Sequence, residues 1–485
     1  MKKISYLDMI KELLGNEEFL KFQKCYNNPI KKSIKILNNR WFKNTEVDLY
    51  DKVKSIISEQ RDLSEPDFSY NWNKYRDVLY ATRKEELSKS SLWSHYLHQA
   101  WFIYVQEMAA SIPVQVLWIK PWDKVLDMCA APWWKSIQIA DKLTDWFLIS
   151  NEIDLWRRRA LKSNLQRCWI YNTWVIGQDG CELWNMLPET FDKVLVDTPC
   201  SGEWMQYKSD KKVWQRDEKK SKKLSDLQIK LLISWLKSLK IWWELVYSTC
   251  TTNVLENECV VSSVIEQCWD KIQLLEVPLD EKFNWISNRR WNEVLSKINA
   301  NKVARLWPHV HKTWGFFIAK FKKLKPLDVK KGDMIKKLEH KNAILSTELI
   351  QQKLSKRWIH NNPELDYFIS KYTINVAPKW LIRNHFENKI SNIEIGLPIF
   401  KIINNEKNKS QELIPLIWLS KVFWQIVTKN FIDINDNQLE LLMEKRDLMN
   451  DNLKKNEWNF LILKRNWVWV WLISVQKWIW KNKCF

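Results

Sequence analysis

The stretch KVLDMCAAPWWKSIQIA, residues 124–140, decides how this chain folds. A short buried strand is expected to end at Asp127. A turn of small residues follows, and a helix is expected to begin near Trp133. Open α/β sheets bind ligands at the carboxyl ends of their strands, beside helix N-termini. Cys129, Ala130 and Ala131 are small enough to let a cofactor approach the backbone there.

Outward from this unit the pattern repeats. Apolar runs of strand length recur at 147–153, 174–178, 193–197, 244–249 and 316–321, with helical stretches at 155–168, 224–239 and 256–267. Alternation of this kind across residues 96–322 predicts an α/β domain, a mostly parallel sheet covered on both faces. Residues 1–95 are charged and mostly helical in pattern, with the basic stretch NNPIKKSIKILNNRW at 27–41. A lysine-rich segment with Pro326 and Gly332 as breakers reads as a linker over 323–365. The remainder, 366–485, carries β-leaning tracts such as FLILKRNWVWVWLISVQKWIW at 460–480 and reads as a small β-rich domain. At 485 residues the chain exceeds one hydrophobic core, so several domains are expected.

Lys and Arg outnumber Asp and Glu by 77 to 57, a formal charge of +20 that favours a polyanionic partner. No stretch reaches the roughly 18 unbroken apolar residues of a membrane span. The N-terminus reads as an amphipathic helix and not as a signal peptide, so a cytoplasmic protein without a membrane partner is expected. The nine cysteines are scattered, with no CxxC pair and no Cys/His cluster at zinc spacing. A reduced compartment fits them and a structural metal does not.

Gly accounts for only 7 residues and Trp for 33. Gly is usually about 7% of a protein. Trp122, Trp133, Trp134, Trp174, Trp242 and Trp243 fall where turns or strand entries are expected, the usual places for glycine. Our reading is that most of these Trp stand for Gly, through UGA codons that the source organism reads as glycine. As written, two indoles at 133 and 134 would fill the cofactor turn.

Acids mark successive strand ends: Glu152 in FLISNEID, Asp179 in VIGQD and Asp197 in FDKVLVDTPCSGEW. Glu152 suits the hydroxyls of a ribose and Asp179 an adenine amino group. Cys200 follows Asp197, and Cys250 stands at another strand tip in ELVYSTCTTNVLENE. Either cysteine alone reads as a small buried hydrophobe. Two on the presumed cofactor side point to thiol chemistry. Carbon-5 of cytosine is a poor nucleophile until a thiolate adds to carbon-6 and makes it enamine-like.

The segments HQAWFIYVQEMAASIP, VLDMCAAPWWK, NEIDLWRRRALKSN, VLVDTPCSGEW, LVYSTCTTNVLENE and RLWPHVHKTWGFFIAKF, in that order, resemble the Sun-type RNA cytosine-5 methyltransferases, which include the bacterial ribosomal-RNA enzymes B and F. The resemblance covers at least residues 95–322. It implies a Rossmann-like S-adenosylmethionine methyltransferase domain at 96–322 that acts on RNA, ribosomal RNA before transfer RNA, as a monomer. By the resemblance Cys250 matches the nucleophile, Cys200 the thiol that assists product release, and Asp197 the acid that contacts the target base near the methyl donor. Cys129, Ala130, Ala131, Pro132, Trp133, Trp134 and Lys135, with Glu152, Asp179 and Asp197, match the cofactor site, and Lys208 stands where the family has a basic residue. Flanking parts resemble the longer, F-like members: an N-terminal α+β RNA-binding region at 1–95 and a PUA-like RNA-binding domain at 366–485. Trp101, Trp133, Trp134, Trp204, Trp242, Trp243 and Trp314 stand where the family pattern commonly has Gly, whereas Trp307 is a natural tryptophan.

Two other classes compete. A non-catalytic RNA-binding or ribosome-assembly relative needs neither thiol, yet becomes the better reading if the Trp residues are genuine. A DNA cytosine-5 methyltransferase carries its nucleophile in the loop corresponding to Cys200, whereas the STC sequence at Cys250 points to RNA.

Overall fold

In the computed structural model, the described residues are 6–26, 32–37, 49–59, 61–64, 78–83, 95–99, 102–131, 134–143, 146–168, 170–202, 218–279 and 291–327, together with β segments between 365 and 482. Pro132, Trp133, Trp101, Trp204, Lys208 and most of the expected linker lie outside them.

The amino-terminal part opens with helix α1 (Tyr6–Tyr26), broken at Gly15, whose φ is 77°. Strands β1 (Ser33–Ile36), β2 (Arg61–Ser64) and β3 (Val78–Arg83), with α2 (Leu49–Ser58) between β1 and β2, lead through α3 (Tyr96–Gln99) to β4 (Ile103–Gln106). These four strands make one sheet in the order β2-β3-β1-β4. The mostly helical expectation for residues 1–95 is therefore corrected at the basic stretch, where SIKI is a strand. All four of its residues are buried, so no in–out alternation marks it. Its Lys35 is neutralised by Asp141 of the next domain at 3.0 Å.

The central domain runs α4 (Ile112–Val116), β5 (Val125–Asp127), α5 (Trp134–Lys142), β6 (Leu148–Asn151), α6 (Leu155–Arg167), β7 (Thr173–Ile176), β8 (Phe191–Asp197), α7 (Glu218–Ser238), β9 (Leu239–Thr249), α8 (Glu258–Cys268), β10 (Ile272–Leu275), α9 (Asn292–Ile298), β11 (Ala304–Leu306), α10 (Pro308–His311) and β12 (Phe316–Lys323). Its sheet has the order β10-β12-β9-β8-β5-β6-β7. β5 to β9 are mutually parallel, and β12 returns antiparallel against β9. The strand order reverses between β5 and β8, so helices on either side diverge and leave a crevice at the carboxyl edge, the general ligand position of such sheets. The strands are buried almost end to end, as a sheet covered on two faces requires. One apolar cluster, including Leu126, Ile149, Ile176, Val194, Leu232 and Val261, packs below this edge and holds it rigid.

Beyond residue 327, every described residue except Gly396 is in a strand. β13 (Leu365–Ser370), β14 (Thr373–Pro378), β16 (Leu397–Asn405) and β17 (Ser410–Pro415) form one antiparallel sheet, while β15 (Glu394–Ile395) pairs with β7. β18 (Phe431–Asp433), β19 (Leu448–Met449), β20 (Phe460–Arg465), β21 (Val468–Gln476) and β22 (Ile479–Asn482) form another.

The tryptophans divide into two sets. Trp118, Trp242 and Trp269 have positive φ, at 49°, 72° and 43°. Trp242 lies in an excursion of β9, where two steps on β8 face five on β9. Trp269 caps the carboxyl end of α8, a position that favours glycine. Trp174 departs from its expectation: it is inside β7, fully buried and packed on Phe147 with ring centroids 5.0 Å apart.

Candidate functional site at the carboxyl edge of the sheet

Five parallel strands deliver their tips to the crevice. β5 ends on Asp127, β6 runs into Glu152, β7 leads to Asp179, β8 ends on Asp197 and β9 ends one residue before Cys250. The turn after β5 is tied to the sheet by Met128 N on Leu195 O and Ala130 N on Asn151 O, at 3.1 and 3.0 Å. Asn151, which the strand-end acids do not point to, staples three tips: its Nδ2 donates to the Met128 and Gln178 carbonyls and its Oδ1 accepts from Gln178 N.

Glu152 is buried. Its Oε1 accepts from Asp154 N at 3.0 Å, and its Oε2 lies 3.5 Å from Arg157. Arg157 also donates to the Ala131 carbonyl at 2.7 Å, so one guanidinium joins the acid to the small-residue turn. Asp179 is exposed and accepts from Cys181 N at 2.9 Å. Asp127 Oδ2 accepts from Ser136 Oγ at 2.6 Å, whereas Oδ1 is buried without a hydrogen-bond partner among the described residues. Burial, with Asp197 and Glu152 nearby, pushes this carboxyl up to about 7. A buried orphan acceptor beside two further acids and a small-residue turn fits a cofactor with a cationic amino-acid end and a ribose. Burial, then the nearby Glu152 carboxylate, pushes the Cys129 thiol well above the usual range, which leaves it a small neutral wall.

Trp134, at the first turn of α5, directs its ring at Tyr104, with centroids 5.6 Å apart, and packs beside Ala130 and Ile137. The next residue, Lys135, reaches across the crevice to Asp197 Oδ2 at 2.7 Å. Burial opposes its charge, but Asp197, with Asp127 and Cys250 adding to it, holds the ammonium above the ordinary lysine range. Ser248 Oγ donates to the other Asp197 oxygen at 2.8 Å. Asp197 is therefore fixed through both oxygens beside the cysteine loops.

Cys200 and Cys250, 50 positions apart in sequence, bring their sulfurs to 3.1 Å. The Cys250 sulfur, then burial and nearby carboxylates, push the Cys200 thiol well above the usual thiol range. Ser201 Oγ and Thr251 Oγ1 share a 2.9 Å hydrogen bond that links the two loops next to the thiols. Behind Cys250, Arg305 makes a buried bidentate pair with Glu258, both bonds 2.6 Å, and donates to the Thr252 carbonyl at 2.9 Å. Among the described residues no group of three or more His, Cys, Asp or Glu suits a metal ion, and no helix is long and apolar enough to cross a membrane.

Residues 114–322 match a family model described as 16S rRNA methyltransferase RsmB/F. The Caenorhabditis elegans 26S rRNA (cytosine-C(5))-methyltransferase nsun-1 is 29% identical over 332 residues, 67% of this chain and 47% of that protein. Ribosomal RNA small subunit methyltransferase F of Photobacterium profundum is 28% identical over 326 residues, 66% of this chain and 63% of its own length. The chain thus spans about half to under two thirds of these relatives. A crystal structure of a methyltransferase homolog protein from Pyrococcus horikoshii superimposes with a TM-score of 0.51 at 26% identity, covering 64% of this chain and 92% of that one. The cysteine pair, the strand-tip acids and the strands of the parallel sheet all lie inside the matched segment, so it is over residues 114–322 that this chain is similar to the RsmB/F methyltransferases.

Proposed function

We propose that this chain methylates carbon-5 of cytosine in ribosomal RNA through a covalent cysteine adduct, with S-adenosylmethionine as the methyl donor. The observation that carries the reading is the 3.1 Å approach of Cys200 and Cys250 beside Asp197, at the strand tips next to the acid-lined crevice. S-adenosylmethionine, when bound, supplies the methyl group. Glu152 and Asp179 would take its ribose and adenine, the Asp127 carboxylate its amino group, and Ala130 and Ala131 leave room for it. Cys129, Pro132, Trp133 and Trp134 belong to the same stretch of sequence and would line the same side of the cofactor.

Two closely spaced thiols have a definite use. One sulfur ionises with the other S–H turned toward it, and the Cys250 thiolate adds to carbon-6 of the cytosine. The C6–S bond forms, the 5,6 double bond opens, and carbon-5 gains the electron density to accept a methyl cation equivalent. Asp197, held by Lys135 and Ser248, is placed to contact the ring where charge develops. Once Cys250 is bonded to carbon it is no longer anionic, so the largest influence raising the Cys200 thiol is gone. Cys200 can then give up its proton to solvent and, as the thiolate, take the carbon-5 proton in its place. The 5,6 double bond re-forms as the C6–S bond breaks and Cys250 leaves as a thiolate.

Ribosomal RNA is preferred because the relatives are named for ribosomal RNA, of the small subunit and of 26S. The excess of lysine and arginine, with the regions 1–95 and 366–485, would hold the phosphate backbone and set no sequence preference. The test uses labelled methyl donor and RNA with two variants. Cys250→Ala is expected to lose methylation and adduct together. Cys200→Ala is expected to attack but release slowly, so protein–RNA adduct accumulates. Adduct absent from Cys200→Ala while Cys250→Ala stays active would reverse the roles.

A further inference from the structure

Each of the two cysteines is pinned through both of its chain neighbours. Around Cys200, Gln228 Nε2 donates to the Pro199 carbonyl at 2.9 Å and Ser201 N donates to Glu256 Oε2 at 2.9 Å. Gln228 Nε2 reaches the same Glu256 oxygen at 3.2 Å, and Asn253 Nδ2 reaches Oε1 at 3.3 Å. Around Cys250, Thr249 Oγ1 donates to Asn257 Oδ1 at 2.6 Å and Asn257 Nδ2 donates to the Thr251 carbonyl at 3.0 Å. Glu256 and Asn257 are consecutive and fully buried. Both loops therefore take their position from one short piece of backbone, which the Glu258–Arg305 pair anchors at the following residue.

We propose that Glu256 and Asn257 are the positioning residues of the cysteine pair, with the Glu256 carboxylate setting the Cys200 loop and the Asn257 amide setting the Cys250 loop. This rests on the reading of Cys250 as nucleophile and Cys200 as release thiol. The chemistry of the contacts fits the residue types. The Ser201 N–H and hydroxyl and the Gln228 and Asn253 amides all meet the Glu256 carboxylate as donors, and a carboxylate is the side chain that only accepts. An amide at 256 turns its own N–H groups toward one of them, leaving buried donors opposed and the loop free to shift. Asn257 must both accept and donate, which an amide does and a carboxylate does not. The gap between the sulfurs is sensitive to such a shift, because a displacement near 1 Å changes the rate of a proximity-controlled reaction by about 10²-fold.

Thiol closure in the full chain measures the gap without RNA or cofactor. Diamide takes up two electrons and two protons as the two thiols lose them and form one S–S bond, and peptide mapping identifies the Cys200–Cys250 product. Glu256→Gln and Gln228→Leu are expected to close at least about tenfold more slowly than the parent. Glu266→Gln, an exposed carboxylate on α8, is expected to close at the parent rate. A merely structural role for Glu256 would lower the unfolding midpoint and leave the closure rate of the folded protein unchanged. Parental closure in folded Glu256→Gln overturns the proposal. Where that variant does not fold, parental closure in Gln228→Leu overturns it equally. With RNA and methyl donor, Glu256→Gln should accumulate adduct as Cys200→Ala does. If Cys200→Ala accumulates none, the assignment of the thiols fails, while the diamide rates still decide the positioning.

Discussion

The Lys135 ammonium lies 2.7 Å from Asp197 Oδ2, which joins the turn after β5 to the strand that carries Cys200. Removing the acid leaves a largely buried cation unpaired, whereas removing the lysine leaves an acid still held by Ser248. Asp197→Asn should therefore cost about 2–3 kcal/mol in urea unfolding, and Lys135→Met less. Lys135 is held above its ordinary pKa of about 10.4, so its contribution is complete below that value and is lost as pH rises through the folded value. The two chains should differ by a constant amount from pH 6 to 9. A difference that faded across that range would show that the pair is not the source.

Asp127 behaves in the opposite way to a paired surface carboxylate. Its folded pKa is about 7 against about 3.9 unfolded, so folding favours the protonated form. The stability this gives is complete below about pH 4 and is lost as pH rises to about 7, at a slope of up to ~1.4 kcal/mol per unit. Asp127→Asn should remove that slope, which denaturant titrations at pH 5, 6 and 7 would read as a flatter stability curve for the variant than for the parent. An identical pH profile in the two proteins would mean that Asp127 is ionised when folded.

Arg305 and Glu258 are both buried and doubly bonded, so breaking the pair strands a charge in the core. Arg305→Met should cost about 3–5 kcal/mol, and adding Glu258→Leu should recover much of it. Losses that simply add would show that the two residues act separately. The single variant should also slow methyl transfer, because Arg305 holds the Thr252 carbonyl two residues past Cys250.

Several strand ends were legible because their sequence marks are local. β5 ends on Asp127, β8 on Asp197 and β9 on Thr249, each at an acid or at the STC turn as read from sequence. α7 begins at Glu218 and not at 224, because its first turns carry lysines on exposed positions and show no apolar face. α8 begins at Glu258, two residues late, because Val254–Glu256 forms a separate 3₁₀ turn. The two cysteines and three acids were visible as strand-end residues. Asn151, Gln228 and Glu256 were not, since their roles consist of contacts between segments distant in sequence, which carry no spacing to read. Sequence position alone places Lys135 beside the small residues after β5, and only the fold turns it toward Asp197.

The strongest remaining test concerns the tryptophans. A left-handed backbone costs an L residue roughly 1–2 kcal/mol, and glycine returns about 0.5–1 of that in chain entropy. Trp242, Trp118 and Trp269 combine positive φ with exposed indoles, so they bear this strain with little burial in return. Trp307 is fully buried and packs edge-on against Phe22 at 6.3 Å. Glycine at 242 should raise stability by up to about 1 kcal/mol, whereas Trp307→Ala should lower it by about 3–5. The gene should then carry UGA at 118, 242 and 269, and at 133 and 134, but UGG at 307. Peptide masses from the source organism would show glycine at the UGA positions. UGG codons at 118, 242 and 269, with destabilised glycine variants, would instead mean that the protein uses strained, solvent-facing indoles.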